Sequence, residues 1–259
     1  MTTVVKKLCR LFRGRFFSSS RSTHIYSIVH DNKGCLWLKF ESLFTPFRID
    51  FDEKVYAQRY KTLNEEIILK AFNLTSKSTS VSTIIDLTAG LGRDSMLLAK
   101  AGATVVMNER NETLVMLLRD AIRRHVSQNH QLTLLQMDSA SSNFPLSLHE
   151  AVNLHDRQIS CYLDPIFPQQ TKRNSALVKK ESQIFRLLTE NDNKGMSPEE
   201  KEQEEKQMLK NAWEISNYRI VVKRPLHGPA LAKSVPHSVL KSTKLRFDIY
   251  LKSRPIVYV

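Results

Sequence analysis

The sequence predicts an α/β fold built on a doubly wound parallel sheet, with a small β-containing element at its N-terminus. Three observations support this prediction. From about residue 82, segments typical of strands alternate with segments typical of helices. The first of these strands ends in a glycine turn, IIDLTAGLGRD, at residues 84–94. Before residue 52, short β-like runs flank an Asp-Asn-Lys-Gly turn that is typical of a hairpin connection.

The individual elements follow from the hydrophobic periodicity. Strands are predicted at residues 25–29, 35–40, 82–87, 103–108, 132–137, 160–163, 218–223, 246–251 and 256–259, the last two closing the sheet. Helices are predicted at residues 53–72, 94–101, 112–125 and 175–188. The polar segment 190–210 predicts a loop and then a solvated helix, because Ser197, Pro198 and Glu200 fit a capping box with proline at the first helical position. We expect two parts: the N-terminal element at 1–52 and the main domain at 53–259.

The charge of the chain indicates a polyanionic partner. The formal net charge is +13, from 39 basic and 26 acidic residues. Nucleic acid attracts such a surface through its phosphates, whereas an enzyme of small metabolites has little need for it. A basic surface that only keeps the protein soluble is the alternative. The hydrophobic fraction of 41% supports a proper core, and no run of about 18 apolar residues predicts a membrane span.

The cysteines and the N-terminus bear on the compartment. Cys9, Cys35 and Cys161 are odd in number and far apart, which disfavours a disulfide framework or a zinc site and fits a reducing compartment. The first thirty residues contain six Lys or Arg and no acid. This composition is compatible with a mitochondrial transit peptide, with a basic RNA-contacting arm, and with an N-terminal strand region that happens to be basic.

The glycine turn predicts a ligand at the carboxyl end of the first parallel strand, since glycine lets the backbone bend sharply and approach a ligand closely. The phosphate-binding pattern G-x-x-x-x-G-K-[ST] is absent from the turn, and Ser95 replaces the third glycine of the dinucleotide pattern. Glu109 follows the next strand, where an acid accepts both hydroxyls of a ribose. These features indicate a nucleoside, in a dinucleotide or in S-adenosylmethionine.

The exit of the fourth parallel strand, Asp164-Pro165-Ile166-Phe167-Pro168, distinguishes between these ligands. An Asp-Pro-x-aromatic step at this place is typical of methyltransferases that act on the exocyclic amines of bases. Such an amine is a poor nucleophile, because its lone pair is delocalised into the ring. Asp164 and the Pro165 carbonyl can accept its two protons and orient the nitrogen, while Phe167 offers a face on which the base stacks. This chemistry needs no metal.

Taken together, the motifs resemble the ribosomal RNA small subunit methyltransferase J family of bacteria. The resemblance covers most of residues 84–250 and rests on motifs in the family's order and with similar spacing: DLTAGLGRD (86–94), NERN (108–111), YLDPIFP (162–168), SALVKKE (175–181), VVKRP (221–225) and RFDIY (246–250). It implies a Rossmann-like class I methyltransferase sheet, S-adenosylmethionine as cofactor, and methylation of guanine N2 in 16S rRNA, at position 1516. It also implies a cytoplasmic protein and favours a β-containing N-terminal element over a transit peptide.

The cofactor site can be assigned by motif. The turn itself contributes Asp86, Gly90 and Gly92. The resemblance implies cofactor contacts from six side chains at the strand ends and from one of the catalytic residues: Arg93, Asp94, Glu109, Arg110, Asp138, Ser139 and Asp164. Asp138 departs from the small polar residue that is common in the family, yet an acid there can accept the adenine amino group. A second departure lies at residues 59–66, where the family has a Gly- and Arg-rich stretch.

A basic face is predicted around the same site. The carboxyl ends of parallel strands share one edge of a sheet, so basic residues that follow them should surround the opening that holds Asp164. They would grip phosphate or stack on bases of 16S rRNA or of the small ribosomal subunit. The residues are Lys172, Arg173, Lys179, Lys180, Lys223 and Arg224.

Two other functions remain compatible with the residues. Methylation of adenine N6 in DNA or RNA uses the same Asp-Pro-x-aromatic step, and the product nucleoside distinguishes the two. An RNA-binding assembly factor with a vestigial cofactor site would bind RNA without S-adenosylmethionine, although the intact Glu109 and Asp164 disfavour it. The sequence leaves the oligomeric state open, with a monomer favoured.

Overall fold

A computed structural model describes residues 26–41, 44–52, 54–74, 82–125, 132–154, 158–166, 180–189 and 195–258. The strands are β1 (Tyr26–His30), β2 (Leu36–Phe40), β3 (Ser82–Asp86), β4 (Thr104–Asn108), β5 (Leu132–Leu135), β6 (Gln158–Leu163), β7 (Arg219–Pro225), β8 (Ser234–Val235), β9 (Ser238–Lys241), β10 (Leu245–Leu251) and β11 (Val257–Tyr258). The α-helices are α1 (Lys54–Lys61), α2 (Ile67–Phe72), α3 (Arg93–Lys100), α4 (Glu112–His125), α5 (Phe144–Ala151), α6 (Lys180–Thr189) and α7 (Pro198–Ile215). Short 3₁₀ turns lie at Leu63–Glu65 and Leu231–Lys233.

Seven strands form the central sheet in the order β5-β4-β3-β6-β7-β10-β9. The first five are parallel to one another, while β10 runs antiparallel to both β7 and β9. The predicted doubly wound α/β sheet is therefore confirmed. Strand order reverses between β3 and β6, and open α/β sheets bind their ligands outside the carboxyl ends of the strands at such a point.

The sheet is covered on both faces because its strands are apolar on both sides. Ile84 of β3 faces one core, which also contains apolar residues of α2, α3, α4 and α6. Ile85, one residue on, faces the opposite core against α5 and α7. The alternation of neighbouring residues between two cores is what a strand buried on both faces requires. No helix in the described part of the chain is both long and apolar enough to cross a membrane.

The N-terminal element is the predicted hairpin. β1 and β2 pair antiparallel with Tyr26 opposite Phe40. The turn between them is closed by Asp31, whose carboxylate accepts the N–H groups of Lys33 and Cys35. The hairpin packs on α4, where the Leu36 N–H donates to Asp120 at 3.2 Å. Its apolar residues belong to the same core as α3 and α4. The boundary after residue 52 stays a prediction, and residues 1–25, with Cys9, lie outside the described residues.

The structure differs from the predicted elements in three places. The single helix predicted over 53–72 is divided into α1 and α2, because Glu66 between them is extended, with ψ at 121°. Helix α5 and strands β8 and β9 were not predicted. The prediction that 256–259 closes the sheet is wrong: β11 pairs with β8 in a separate two-stranded sheet, and β9 forms the edge instead. The capping box at Ser197 is present as predicted.

Candidate active site

The carboxyl ends of β3 and β6 are held together by backbone hydrogen bonds. The Leu87 N–H donates to the Tyr162 carbonyl at 2.9 Å. Just beyond the strands, the Asp164 N–H donates to the Thr88 hydroxyl at 2.6 Å. Thr88 therefore fixes the start of the Asp-Pro step relative to the glycine turn. Thr88 was not predicted as a site residue, since a threonine between apolar residues carries no signal of its own.

The glycine turn is anchored to β4 by Asn108. The backbone of Asn108 accepts the Ala89 N–H at 2.9 Å, and its side-chain amide donates to the carbonyls of Leu87 and Met137. Asn108 thus joins the ends of three neighbouring strands. Gly90 and Gly92 have φ values of 55° and 72°, in the left-handed region where glycine is favoured.

Gly92 also allows the turn to pack closely, which gives a testable prediction. A Cβ at Gly92 would lie 2.7 Å from both Leu118 Cδ2 and Met107 Cε, whereas a Cβ at Gly34, with φ at 74°, meets nothing within 4 Å. We expect Gly92→Ala to lower the free energy of unfolding by about 1–3 kcal/mol more than Gly34→Ala. Urea denaturation of both variants measures the difference. Equal losses would show that only backbone strain, which the two positions share, matters at Gly92.

Glu109 stands at the end of β4 and is almost fully buried. Its carboxylate accepts the Gly90 N–H at 2.8 Å and the Asn111 N–H at 2.8 Å. Both bonds fix the carboxylate plane at the wall of a pocket over the ends of β3, β4 and β6. The pocket is lined by Leu87, Thr88, Glu109, Arg110, Ser139, Asp164, Pro165, Ile166, Phe185, Thr189, Lys201, Glu204, Glu205 and Met208.

One wall of this pocket is the first half of α7. Arg110 forms an ion pair with Glu204, and Lys201 donates to the Ile166 carbonyl at 3.1 Å. Glu205 accepts the Ala232 N–H at 3.1 Å. The prediction of a merely solvated charged helix is therefore wrong for this half of α7. A charge run on its own does not reveal which of its side chains meet a partner across the fold.

Beside the pocket, Asp164, Lys223, Asp94 and Tyr162 form a connected polar network. The Lys223 ammonium donates to Asp164 Oδ2 and to Asp94 Oδ2, both at 2.8 Å. Asp94 Oδ2 also accepts the Tyr162 hydroxyl at 2.8 Å. One ammonium group therefore joins the Asp164 carboxylate at the end of β6 to the Asp94 carboxylate in the first turn of α3.

The network sets the protonation of its members. Burial raises the pKa of Asp164, and the positive charge of Lys223 offsets part of that rise. Burial alone would also raise the pKa of Asp94, but Lys223 and the Tyr162 hydroxyl hold it below its usual value. Lys223 itself would have a lowered pKa from burial, yet its two carboxylate partners raise that pKa above its ordinary value. Lys223 is accordingly a cation at neutral pH.

Some of the predicted cofactor residues line the pocket, and the rest lie outside its lining. Glu109, Arg110, Ser139, Asp164 and the catalytic candidate Pro165 line the pocket together. The others lie outside its lining: Gly90 and Gly92 shape the turn, and Asp138 is 54% exposed with its carboxylate 3.9 Å from the Arg110 guanidinium.

Three further cofactor candidates have partners within the protein. Asp86 bonds to Ser95 and to the Thr88 N–H, and burial raises its pKa to about 7. Arg93 forms an ion pair with Glu181 of α6. Asp94 belongs to the network with Lys223. All three side chains thus hold the turn and α3 in place.

The predicted basic face is changed by the structure. Arg224 is 2% exposed, and its guanidinium donates to the Pro229 carbonyl at 2.7 Å, so its predicted place on an exposed face is wrong. Lys223 faces Asp94 and Asp164, and Lys180 bonds to Thr45 and Pro46 of the N-terminal element. The remaining candidates, Phe167, Lys172, Arg173 and Lys179, lie outside the described residues.

Comparison with known proteins agrees with this geometry. A family model described as putative SAM-dependent methyltransferase matches residues 21–252. Ribosomal RNA small subunit methyltransferase J of Idiomarina loihiensis is 32% identical over 220 residues, which cover 83% of this chain and 78% of that protein. The protein of the same name from Chromohalobacter salexigens is 33% identical over 211 residues, covering 80% and 77%.

A solved structure extends the likeness to the fold. The crystal structure of a SAM-dependent methyltransferase from Neisseria gonorrhoeae superposes with a TM-score of 0.66 at 27% identity, covering 97% of this chain and 92% of that one. The same family is supported by three observations: the strand order, the pocket at the ends of β3, β4 and β6, and the matched length of sequence. The chain belongs to the ribosomal RNA small subunit methyltransferase J family of S-adenosylmethionine-dependent methyltransferases.

Proposed function

We propose that this enzyme methylates the exocyclic N2 of a guanine in small-subunit ribosomal RNA, with position 1516 as the target that the family resemblance implies. The observation that carries the proposal is the placement of Asp164. Its carboxylate lies at the end of β6, lines the cofactor pocket, and is held by Lys223 at 2.8 Å. A third of its side chain is exposed, so an acceptor can reach it.

The pocket fits S-adenosylmethionine by the chemistry of its lining. The fixed carboxylate of Glu109 is suited to accept two ribose hydroxyls. Apolar side chains for an adenine ring lie nearby: Leu87, Ile166, Phe185 and Met208. Arg110 and Ser139 add polar contacts at the end of β4 and after β5. Asp138, on the exposed side of Arg110, is proposed to accept the adenine amino group.

The role of Glu109 is tested by Glu109→Gln. The amide keeps the size of the side chain but loses the charge and one acceptor, so hydrogen bonds to both ribose hydroxyls are weakened. We expect the dissociation constant for S-adenosylmethionine to rise by about tenfold or more. Isothermal titration calorimetry measures it, with Glu112→Gln, an exposed position in the first turn of α4, as the control. Equal affinity of the Glu109→Gln enzyme and the wild type would remove Glu109 from cofactor binding.

The proposed reaction is a direct displacement. The bound cofactor supplies an electrophilic methyl group on a positively charged sulfur. Asp164 and the Pro165 carbonyl each accept a hydrogen bond from one N–H of the guanine amine. These two hydrogen bonds turn the lone pair of the nitrogen toward that methyl group. The nitrogen bonds to the methyl carbon as the carbon–sulfur bond breaks, and a proton then leaves the nitrogen for solvent. Phe167 is proposed to stack on the base.

The choice of acceptor is tested by transfer of a labelled methyl group. Small ribosomal subunits and naked 16S rRNA, both from cells that lack this gene, are incubated with the enzyme and labelled S-adenosylmethionine. We expect label in the RNA fraction of at least one of them, and the better acceptor shows whether the enzyme acts before or after subunit assembly. Label that appears only in protein, or in neither acceptor, would contradict the proposal.

Acting on ribosomal RNA, the enzyme is proposed to work as a cytoplasmic monomer.

A further inference from the structure

The basic residues that the sequence offers for RNA binding are largely occupied within the described part of the chain. Lys223 and Arg224 are held by protein groups, and Lys180 bonds to the N-terminal element. An acceptor RNA must still bring its phosphates to the edge of the sheet where Asp164 lies. Other exposed basic side chains must therefore meet the phosphates at that edge.

The β9–β10 hairpin carries such residues at its tip. Lys241 and Lys244 are exposed and stand on either side of a tight turn. Because β10 begins with Leu245 opposite Pro225, the tip lies at the carboxyl end of β7, two residues beyond Lys223. Among the described residues, neither Lys241 nor Lys244 takes part in an ion pair.

The tip is held rigidly, as a binding element should be. The Ser242 N–H and hydroxyl both donate to the Leu245 carbonyl, at 2.8 and 2.9 Å. The Lys244 carbonyl accepts the Leu226 N–H at 3.1 Å. Next along β10, the Arg246 guanidinium donates to the carbonyl of Pro225, the last residue of β7, and to those of Leu226 and Gly228 in the loop that follows. The lysines therefore project from a fixed backbone.

A second cleft lies between this hairpin and the α1–α2 region. Its lining includes Arg59, Glu65, Glu66, Asp94, Lys223 and Leu245. Lys223 is in this cleft, whereas its partner Asp164 is in the cofactor pocket. The Lys223–Asp164 ion pair thus separates the two recesses, one on each side of the carboxylate that is proposed to hold the guanine amine.

The positive charge near this cleft lies at the hairpin tip and not at the floor of the cleft. Glu66 forms a two-pronged ion pair with Arg59, at 2.7 and 2.8 Å, and Asp94 shares Lys223 with Asp164. Glu65, the third acid of the lining, is exposed, and the two exposed lysines of the tip outnumber it. Leu245 is 37% exposed beside the tip and offers an apolar surface to a sugar or base.

We propose that this cleft receives the acceptor RNA strand, with Lys241 and Lys244 contacting the phosphates beside the target guanine. The proposal rests on the proposed function for the identity of the acceptor. Lysine contacts of this kind supply affinity and position the strand, without selecting its sequence.

The test is the double variant Lys241→Ala/Lys244→Ala, with Lys210→Ala/Arg254→Ala as a control of equal charge change. Arg254 follows the end of β10, next to the start of β7 and therefore at the opposite end of these strands from the tip. Lys210 lies on the half of α7 away from the pocket. Binding to naked 16S rRNA is measured against salt concentration. We expect the tip variant to bind about tenfold more weakly, with a salt slope smaller by about 1.5. The slope and affinity of the control should match those of the wild type.

Methyl transfer is then measured with the same variants. The tip variant should show a raised KM for RNA, with kcat and the affinity for S-adenosylmethionine unchanged. If its RNA affinity and salt slope equal those of the wild type, or if the control is weakened as much, the proposal is overturned. A wild-type enzyme that binds RNA in a tip-dependent way but transfers no methyl group to it would instead contradict the proposed function alone.

Discussion

Asp164→Ala is expected to lower the rate of methyl transfer by about a thousandfold or more while changing the affinity for S-adenosylmethionine by less than about tenfold. The guanine amine loses the carboxylate that orients its lone pair, whereas the ribose contacts proposed for Glu109 are untouched. Single-turnover transfer and calorimetric titration of the cofactor measure the two quantities separately.

Two controls make the Asp164 result specific. Circular dichroism and urea denaturation must show that the variant is folded, because Asp164 also carries one end of the ion pair with Lys223. Asp164→Asn keeps the shape and one carbonyl acceptor, so we expect it to retain more transfer than Asp164→Ala. Wild-type transfer rates in a folded Asp164→Ala enzyme would remove this residue from the mechanism.

Lys223→Met is expected to have the second largest effect. The change leaves Asp94 and Asp164 close together without their shared cation, and removing one partner of a buried pair costs about 3–5 kcal/mol. The three side chains retain some exposure, from 15% to 33%, so we expect the lower end, a loss of about 3 kcal/mol in urea denaturation.

The same variant changes the pH dependence of transfer in a defined direction. Burial already raises the pKa of Asp164, and the positive charge of Lys223 lowers it. Without that charge the pKa rises further, and a protonated carboxyl accepts the N–H of the guanine amine more weakly than a carboxylate does. The acid limb of the kcat/KM profile should therefore move to higher pH in Lys223→Met and stay near its wild-type position in Lys223→Arg. An unmoved acid limb in the methionine variant would show that Lys223 does not act through Asp164.

Residues at strand ends were predictable because their signal is local. Glu109 and Asp164 each follow an apolar run, and parallel strands bring their carboxyl ends to one edge. The structure places both in one pocket, as the sequence predicted. The partners of these residues were not predictable in the same way. Lys223 is 59 positions from Asp164 and 129 from Asp94, and nothing in a single sequence pairs residues so far apart.

The error at Arg224 had a signal that the sequence did contain. Lys223 and Arg224 are neighbours on a strand, and successive side chains of a strand point to opposite faces. Both could not line the same opening: Lys223 turns to Asp164, and Arg224 turns toward α7 and Glu205 at 3.8 Å. The residues of α7 that line the pocket could not be predicted from the sequence. A run of charged residues does not show which turn of the helix packs over the strand ends.

The identity of the methylated nucleoside tests the central proposal most directly. Acceptor RNA labelled by the enzyme is digested to nucleosides, which are then separated and identified by mass spectrometry. The account predicts that the label appears in N2-methylguanosine. Label in N6-methyladenosine would show that the Asp164 step acts on a different amine, and RNA that binds but carries no label would contradict catalysis at this site altogether.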